Sequence, residues 1–380
     1  MRRPRGFSMV EMMVAIMLSL VVMVAVVSVF VGSRAAYQST SGVAAVTDGG
    51  RFAMNFIEDS ARATGWFACN HADVNTSLDY LNWVASPLEF DFRYAVGGFE
   101  ATNTEPGDAF VQPATQVAGA ALGNWNADPA IDPVTGNPEF VLTGEFSAAT
   151  AQQVTNSDIL VLRSSLPQVA AVYTTLDALT GASTLNVTGS TGFVAGQIAA
   201  VSDCTKSAAF QISAVAGGAP AVISFGGGVG PPGNAQGSLT RPFVMGALVQ
   251  PLTTVIYYIG IGQDGDAALR RLDLNGANGP ATFTDEELVP DVENMQVLYG
   301  VDTTGALSAT EYVTADEVTD FGSVVSLQVA LLAASPPQTG QALSLVPQVF
   351  NLLGTQVTAP VDSRKRRVFT VTIALRNQLP

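Results

Sequence analysis

From Met12 to Gly32 the chain is apolar except for Ser19 and Ser28, and a single acid, Glu11, stands at the head of the run. Rising about 1.5 Å per residue as a helix, some 20 such residues cross roughly 30 Å of hydrocarbon. Arg2, Arg3 and Arg5 precede it, a bias that keeps the N-terminus cytoplasmic and sends the following chain across the membrane. An ordinary secretory signal would close its apolar region with a small-residue cleavage site. Phe30-Val31-Gly32-Ser33-Arg34 offers none. A plain signal anchor is the second reading, and Glu11 counts against it. A carboxylate within an apolar span costs about 3 kcal/mol or more and marks a functional position.

The rest of the 380 residues differs in character. Formal charge is −15, and eight of the cations sit at the ends: the three leading arginines, then Arg364, Lys365, Arg366, Arg367 and Arg376. An acidic middle argues against nucleic acid as a partner, since phosphate binding needs a cationic surface. With 48% hydrophobic and 13% charged residues the chain can bury a core. Two cysteines, Cys69 and Cys204, are either unrelated thiols or, in an exported domain, partners in one disulfide. His71 is the sole histidine, which removes most histidine-centred catalysis.

Periodicity organises the chain into a helix and then strands. Residues 33–47 are small and polar, with Gly42 and Gly49-Gly50 as weak points of a continuing helix. Arg51 to Arg62 repeats apolar residues at 52, 53, 56 and 57, predicting an amphipathic helix with Phe52 and Phe56 as core anchors and Gly65 as its stop. Beyond Trp66 the pattern is short strands between turns. Candidates are 159–162, 168–173, 184–187, a hairpin of 197–201 with 210–215 around Cys204, and a hairpin of 253–261 with 268–274. Residues 324–331 and 368–375 are the clearest strands. The turn-rich, charge-poor stretch 95–155 reads as an insertion or long loops, and 226–237 as a loop or subdomain boundary. The class is α+β: a long N-terminal helix, 7–65 with a membrane span at about 9–32, packed on a large β-rich domain, 66–380.

Gly6-Phe7-Ser8-Met9-Val10-Glu11 resembles the prepilin peptidase recognition sequence of type IV pilins and type II secretion pseudopilins. The resemblance implies a leader, 1–6, removed after Gly6, N-methylation of the new terminal Phe7, and an assembly role for Phe7 and Glu11. In low dielectric, the glutamate of an incoming subunit would attract the terminal amine of a neighbour and set axial register. Residues 288–302 and 366–377 look like the PilW-type minor pilins, as do Val201-Ser202-Asp203-Cys204 and Gly65-Trp66-Phe67-Ala68-Cys69. That resemblance implies a subunit of the inner membrane with its domain in the periplasm. It would prime pilus assembly with other minor pilins, the major pilin and the inner-membrane assembly machinery, near the pilus tip. A J-type pseudopilin of a type II secretion system is the alternative.

Other constellations carry less. Asp264-Gly265-Asp266 and Asp273-Leu274-Asn275-Gly276 invite a calcium reading, but neither has the EF-hand pattern, and both suit hairpin turns. Asp285-Glu286-Glu287 reads as a solvated turn or helix start, and 364–367 as a solvated strand entrance. His71 beside Cys69 lacks further metal ligands nearby. With no phosphate-cradling glycine loop or serine-nucleophile motif, the expectation is no cofactor and no metal. A membrane-anchored enzyme or binding protein would need a cleft of convergent polar residues, for which the sequence has no candidate.

Overall fold

The computed structural model describes residues 8–67, 70–71, 90, 92, 94–113, 125–126, 153–175, 183–189, 192–275 (less 219, 228–229, 231, 236 and 240–241), 282–337 and 346–378. One helix, α1 (Met9–Ala63), runs unbroken through Gly42 and Gly49-Gly50. It ends where expected, with Gly65 in the left-handed region at φ 84°. Two environments divide it. Large apolar side chains from Met9 to Val31 are all exposed, whereas Gly42, Val46, Gly50, Ala53, Met54, Ile57 and Ala61 form a buried stripe at helical spacing.

The stripe is made of small residues because the sheet beneath comes very close. A Cβ built on Gly50 would lie 2.1 Å from Cε2 of Phe369, while one on Gly49 would meet only Val289 at 3.7 Å. Hydrogen bonds fix the docking. The Tyr257 hydroxyl donates to the carbonyl of Phe56 at 3.0 Å and lies 2.7 Å from Ser60 Oγ. Asn377 Nδ2 donates to the carbonyls of Arg62 and Thr64 at 3.2 and 3.1 Å, so the C-terminus satisfies orphan acceptors at the helix end.

In chain order the principal strands are β1 (Val96–Ala101), β2 (Ile159–Ser165), β3 (Ile198–Ser202), β4 (Ser207–Gln211), β5 (Leu248–Ile261), β6 (Ala267–Asn275), β7 (Thr282–Pro290), β8 (Val292–Val301), β9 (Glu311–Val313), β10 (Val324–Ala334) and β11 (Arg366–Ala374). The first sheet turns on β5. Its residues 248–251 pair with β3, 252–257 with β2 and 255–261 with β6, all antiparallel. β4 flanks β3, β1 flanks β2, and β7 flanks β6. The second sheet has the order β9-β8-β10-β11. β10 and β11 pair antiparallel from Ser326 with Ala374 to Ala334 with Arg366, without a register shift. Between β7 and β8 the chain changes sheet through Asp291, at φ 59°. The main core lies among α1 and the two sheets, and a second core of Phe210, Ile223, Phe225 and Phe243 sits under β3 and β4.

Several local expectations change. Phe52 and Phe56 are not core anchors: they are 61% and 39% exposed, and Ala53 and Ile57 take the inward positions. The helix is rotated so that Gly50, where Phe369 leaves no room for a side chain, faces the sheet together with Ala53 and Ile57, and positions 52 and 56 fall to the flank. Residues 285–287 lie within β7, where Asp285 and Glu286 pair with Arg270 and Arg271. Val96–Ala101, inside the stretch read as loops, is a wholly buried strand.

A buried carboxylate is one of the links between the two sheets. Asp158 accepts from the backbone N–H of Ala101 in β1 at 3.0 Å and of Val297 in β8 at 2.8 Å. Beside it Glu100 is 1% exposed and accepts from Thr104 Oγ1 at 2.9 Å. Burial raises the pKa of both, and the negative charge of Asp158 raises that of Glu100 further, as does Asp316.

Two predictions follow from the packing. Gly49→Ala should stabilise by up to about 1 kcal/mol through helix propensity. Gly50→Val should destabilise by about 1–3 kcal/mol through overpacking against Phe369, both read from chemical unfolding of the detergent-solubilised protein. The third concerns pH. Because the Glu100 pKa is raised on folding, its protonated form favours the fold at acid pH, and that contribution drains away as pH climbs above the ordinary carboxylate range. Glu100→Gln should therefore raise thermal stability more at pH 8 than at pH 5. Equal increments at both would count against the assignment.

Candidate assembly site

Ser8 has extended backbone (φ −70°, ψ 146°) and opens α1. Its carbonyl accepts from the N–H of Met12 at 3.1 Å, closing the first turn. The N–H of Ser8 donates to Glu11 Oε2 at 3.0 Å. Glu11 thus serves a local purpose: its carboxylate satisfies one of the orphan N–H groups at a helix start and sits favourably at the positive end of the helix dipole. Gly6 and Phe7 lie outside the described residues.

Behind this acid the helix presents apolar side chains all round. Met9, Met17, Val21 and Val29 are 87%, 72%, 68% and 69% exposed. The run has mean hydropathy 3.0 over its best window and none of that window is buried. Such a surface is incompatible with water and requires a covering, lipid or protein. The arrangement can anchor a chain and can associate side by side with like helices. Its chemistry is that of assembly.

The other sequence candidates resolve into structural roles where they are described. Arg366 donates through Nε to Glu293 Oε2 at 2.7 Å, through Nη2 to Glu293 Oε1 at 3.0 Å, and through Nη1 to Asp362 Oδ1 at 2.7 Å. Its side chain is 3% exposed and that of Glu293 8%. Arg364 donates to Asp291 at 2.8 Å and pairs with Asp266. The 364–367 run is a solvated strand entrance only at Lys365 and Arg367, which are exposed; Arg364 and Arg366 tie β11 to β8 and to the Asp291 crossing. Burial raises the Glu293 pKa, with the Arg366 guanidinium working against that rise.

Asp264, Gly265 and Asp266 form a hairpin turn, with the N–H of Gly262 donating to the carbonyl of Asp266 at 2.7 Å and Gly265 at φ 83°. Asp273 accepts from Thr253 Oγ1 at 2.9 Å. Among the described residues no group of three or more metal-ligating side chains comes together. Cys204 occupies the β3–β4 turn at φ 66°, its N–H donating to Ser202 Oγ at 3.2 Å. Cys69 lies outside the described residues, as do the side chains of Asn70 and His71.

Comparison with known proteins points to the same two ends of the chain. Residues 1–27 match the model described as the prokaryotic N-terminal methylation motif. Residues 256–377 match the type IV pilus-assembly protein W model. No curated protein matches. Among solved structures, a type IV-like pilin from Thermus thermophilus is 23% identical over 34% of this chain and 70% of that one. Its TM-score of 0.21 is too low to bear on the fold. The second match runs from the middle of β5 past the end of β11, taking in the second sheet and the Asn377 that holds the base of α1. The N-terminal motif implies processing by prepilin peptidase and involvement with pilus machinery. The chain thus joins a helix apolar and long enough to cross a membrane, similar at its N-terminal end to the prokaryotic methylation motif, to a strand-rich part of which residues 256–377 are similar to the type IV pilus-assembly protein W family.

Proposed function

We propose that this chain joins other minor pilins and the major pilin in an inner-membrane priming complex that initiates type IV pilus assembly, and that it resides at the pilus tip. The observation that carries the reading is the bare apolar half of α1 headed by Glu11, joined in one chain to a match to the pilus-assembly family. Residues 1–6 are the leader, removed by prepilin peptidase, and Phe7 becomes the methylated N-terminus. Residues 7–65 are the pilin helix, and 66–380 the domain held in the periplasm before assembly.

The role of Glu11 follows from its surroundings. One amide hydrogen bond from Ser8 does not neutralise a carboxylate, and an uncompensated charge in an apolar medium is costly. A cleaved neighbour supplies the missing cation as the amine of its Phe7. Once the incoming subunit slides until the two meet, further movement in either direction separates opposite charges in low dielectric. The same export to an oxidising compartment favours a Cys69–Cys204 disulfide, a reading supported by the absence of a free cysteine among the described residues.

Deleting the gene should abolish or sharply reduce surface pili and leave exoprotein secretion intact. Loss of secretion with normal pili would instead identify a J-type pseudopilin. Gly6→Val should leave full-length precursor in the inner membrane. Glu11→Ala should be cleaved normally yet be absent from sheared filaments, and wild-type incorporation of that variant would refute the charge-pairing role. Mass spectrometry of the mature N-terminus reads cleavage and methylation at Phe7 together.

A further inference from the structure

The last strand of the second sheet has an open outer side. Among the described residues β11 pairs with β10 alone. At its two ends the N–H of Leu375 donates to the carbonyl of Val325 at 2.9 Å, and the carbonyl of Lys365 accepts from the N–H of Ser335 at 2.7 Å. No register shift lies between those bonds, so they fix the alternation: the odd-numbered residues bond to β10. The N–H and C=O groups of Val368, Thr370, Thr372 and Ala374 therefore point away from the sheet. Thr370, Thr372 and Ala374 are also exposed.

Three other strand edges in the molecule are closed off, each by a different device. β9, at the far side of the same sheet, is only three residues long. β7 carries Asp285, Glu286 and Glu287 and has a register shift against β6. At β4 the side chain of Asn234 takes the edge: its Oδ1 accepts from the N–H of Gln211 at 2.7 Å, and its Nδ2 donates to the Gln211 carbonyl at 2.8 Å. β11 has none of these. It is nine residues long, free of proline and bulge, and uncharged from Val368 to Leu375. A long, β-branched, charge-free edge is a template for another strand. Exposed cations bracket the run, Lys365 and Arg367 before it and Arg376 after it.

We propose that β11 accepts an extended strand from the globular domain of a different subunit, one uncharged along its middle and carrying carboxylates at both ends, so that the second sheet grows from four strands to five. The inference rests on the minor-pilin reading, which supplies the neighbouring subunits, and adds a partner surface on the globular domain. The outward backbone groups of Val368, Thr370, Thr372 and Ala374 make the hydrogen bonds, and Thr370 and Thr372 offer cross-strand side-chain contacts. Charge argues against a second copy of this chain. An antiparallel pair of β11 strands would set Lys365 and Arg367 of each copy beside Arg376 of the other, and a parallel pair would set like ends together. α1 covers the opposite face of β11 at Phe369, so the edge is open with the helix in place.

The test places the photo-crosslinking residue p-benzoylphenylalanine in place of Thr372 in full-length chain within piliating cells, with Thr284, exposed on the acid-bearing edge of β7, as a control. Irradiated filaments and membranes are digested and mapped by mass spectrometry. The expected product joins position 372 to an acid-flanked strand in the globular domain of another pilin subunit, and position 284 gives no such product. Products that join 372 only to β11 of a second copy, to an N-terminal helix or to lipid, or no product at all, overturn the proposal if the chain is found in the filaments. If the wild-type chain is missing from filaments of normal number, the minor-pilin reading falls, and this one with it. Hydrogen exchange read residue by residue separates strand addition from side-chain contact. In the detergent-solubilised chain alone, the amides of Thr370 and Thr372 should exchange about ten-fold or more faster than those of Phe369 and Val371, and the difference should close in complexes isolated from membranes. Thr372→Pro removes an N–H that the fold itself does not use, so processing should hold while incorporation into sheared filaments drops about ten-fold or more. Undiminished incorporation of that variant, or fast exchange persisting at 370 and 372 in the complexes, would also overturn the proposal. Should the proline ring lower the melting temperature, the exchange measurement decides by itself.

Discussion

The close approach of α1 to β11 governs the rest of the molecule. Phe369 presses so near to Gly50 that no side chain fits between them, and this brings the helix axis within reach of the Tyr257 hydroxyl and the Asn377 amide. A helix held by one apolar stripe could roll. Held by a stripe and by hydrogen bonds to its backbone carbonyls at Phe56, Arg62 and Thr64, its rotation is set. That rotation decides which residues face outward along the whole 55-residue rod, from the domain edge to the apolar half.

One helix therefore carries two interfaces of different kinds. The C-terminal half is buried by its own domain through small residues, and the N-terminal half is left bare for something else to cover. The domain meets the mechanical demand of such an anchor by redundancy. Asp158 joins β1 to β8 through two backbone amides, and Arg366 joins β11 to β8 through Glu293. Both links place charge in the interior, where a partnered ion is tolerated and a broken pair is costly. Glu100 differs, a buried acid whose hydrogen-bond partner among the described residues is the Thr104 hydroxyl.

Much of the architecture was legible from pattern. The β-branched run 324–331 and all but the last residue of 368–375 lie in strands that are paired with each other, and the hairpin around residues 262–266 forms as its turn residues require. β1 escaped notice because Gly97-Gly98 reads as a turn signal. In fact the Tyr299 hydroxyl comes within 1.7 Å of a Cβ built on Gly98, so only glycine fits there. The acids of β7 read as solvent-facing because their partners, Arg270 and Arg271, are brought opposite by strand register. Local pattern holds no information on register between segments separated by a loop.

The sequence alone determined the anchor. A run of about 20 apolar residues, long enough to cross a bilayer, with one acid at its head and arginines before it, has few physical solutions, and none depends on the rest of the chain. It also determined where the helix stops, because Gly65 takes a backbone conformation that other residues adopt only at a cost. Only the tertiary structure decided which face of the helix is buried. The apolar positions 52, 53, 56 and 57 permit two rotations of the helix, and periodicity cannot distinguish a ring that fills a core from one that flanks it. The close approach of Phe369 at Gly50 sets the inward face, which also carries Ala53 and Ile57 and leaves Phe52 and Phe56 on the outer side.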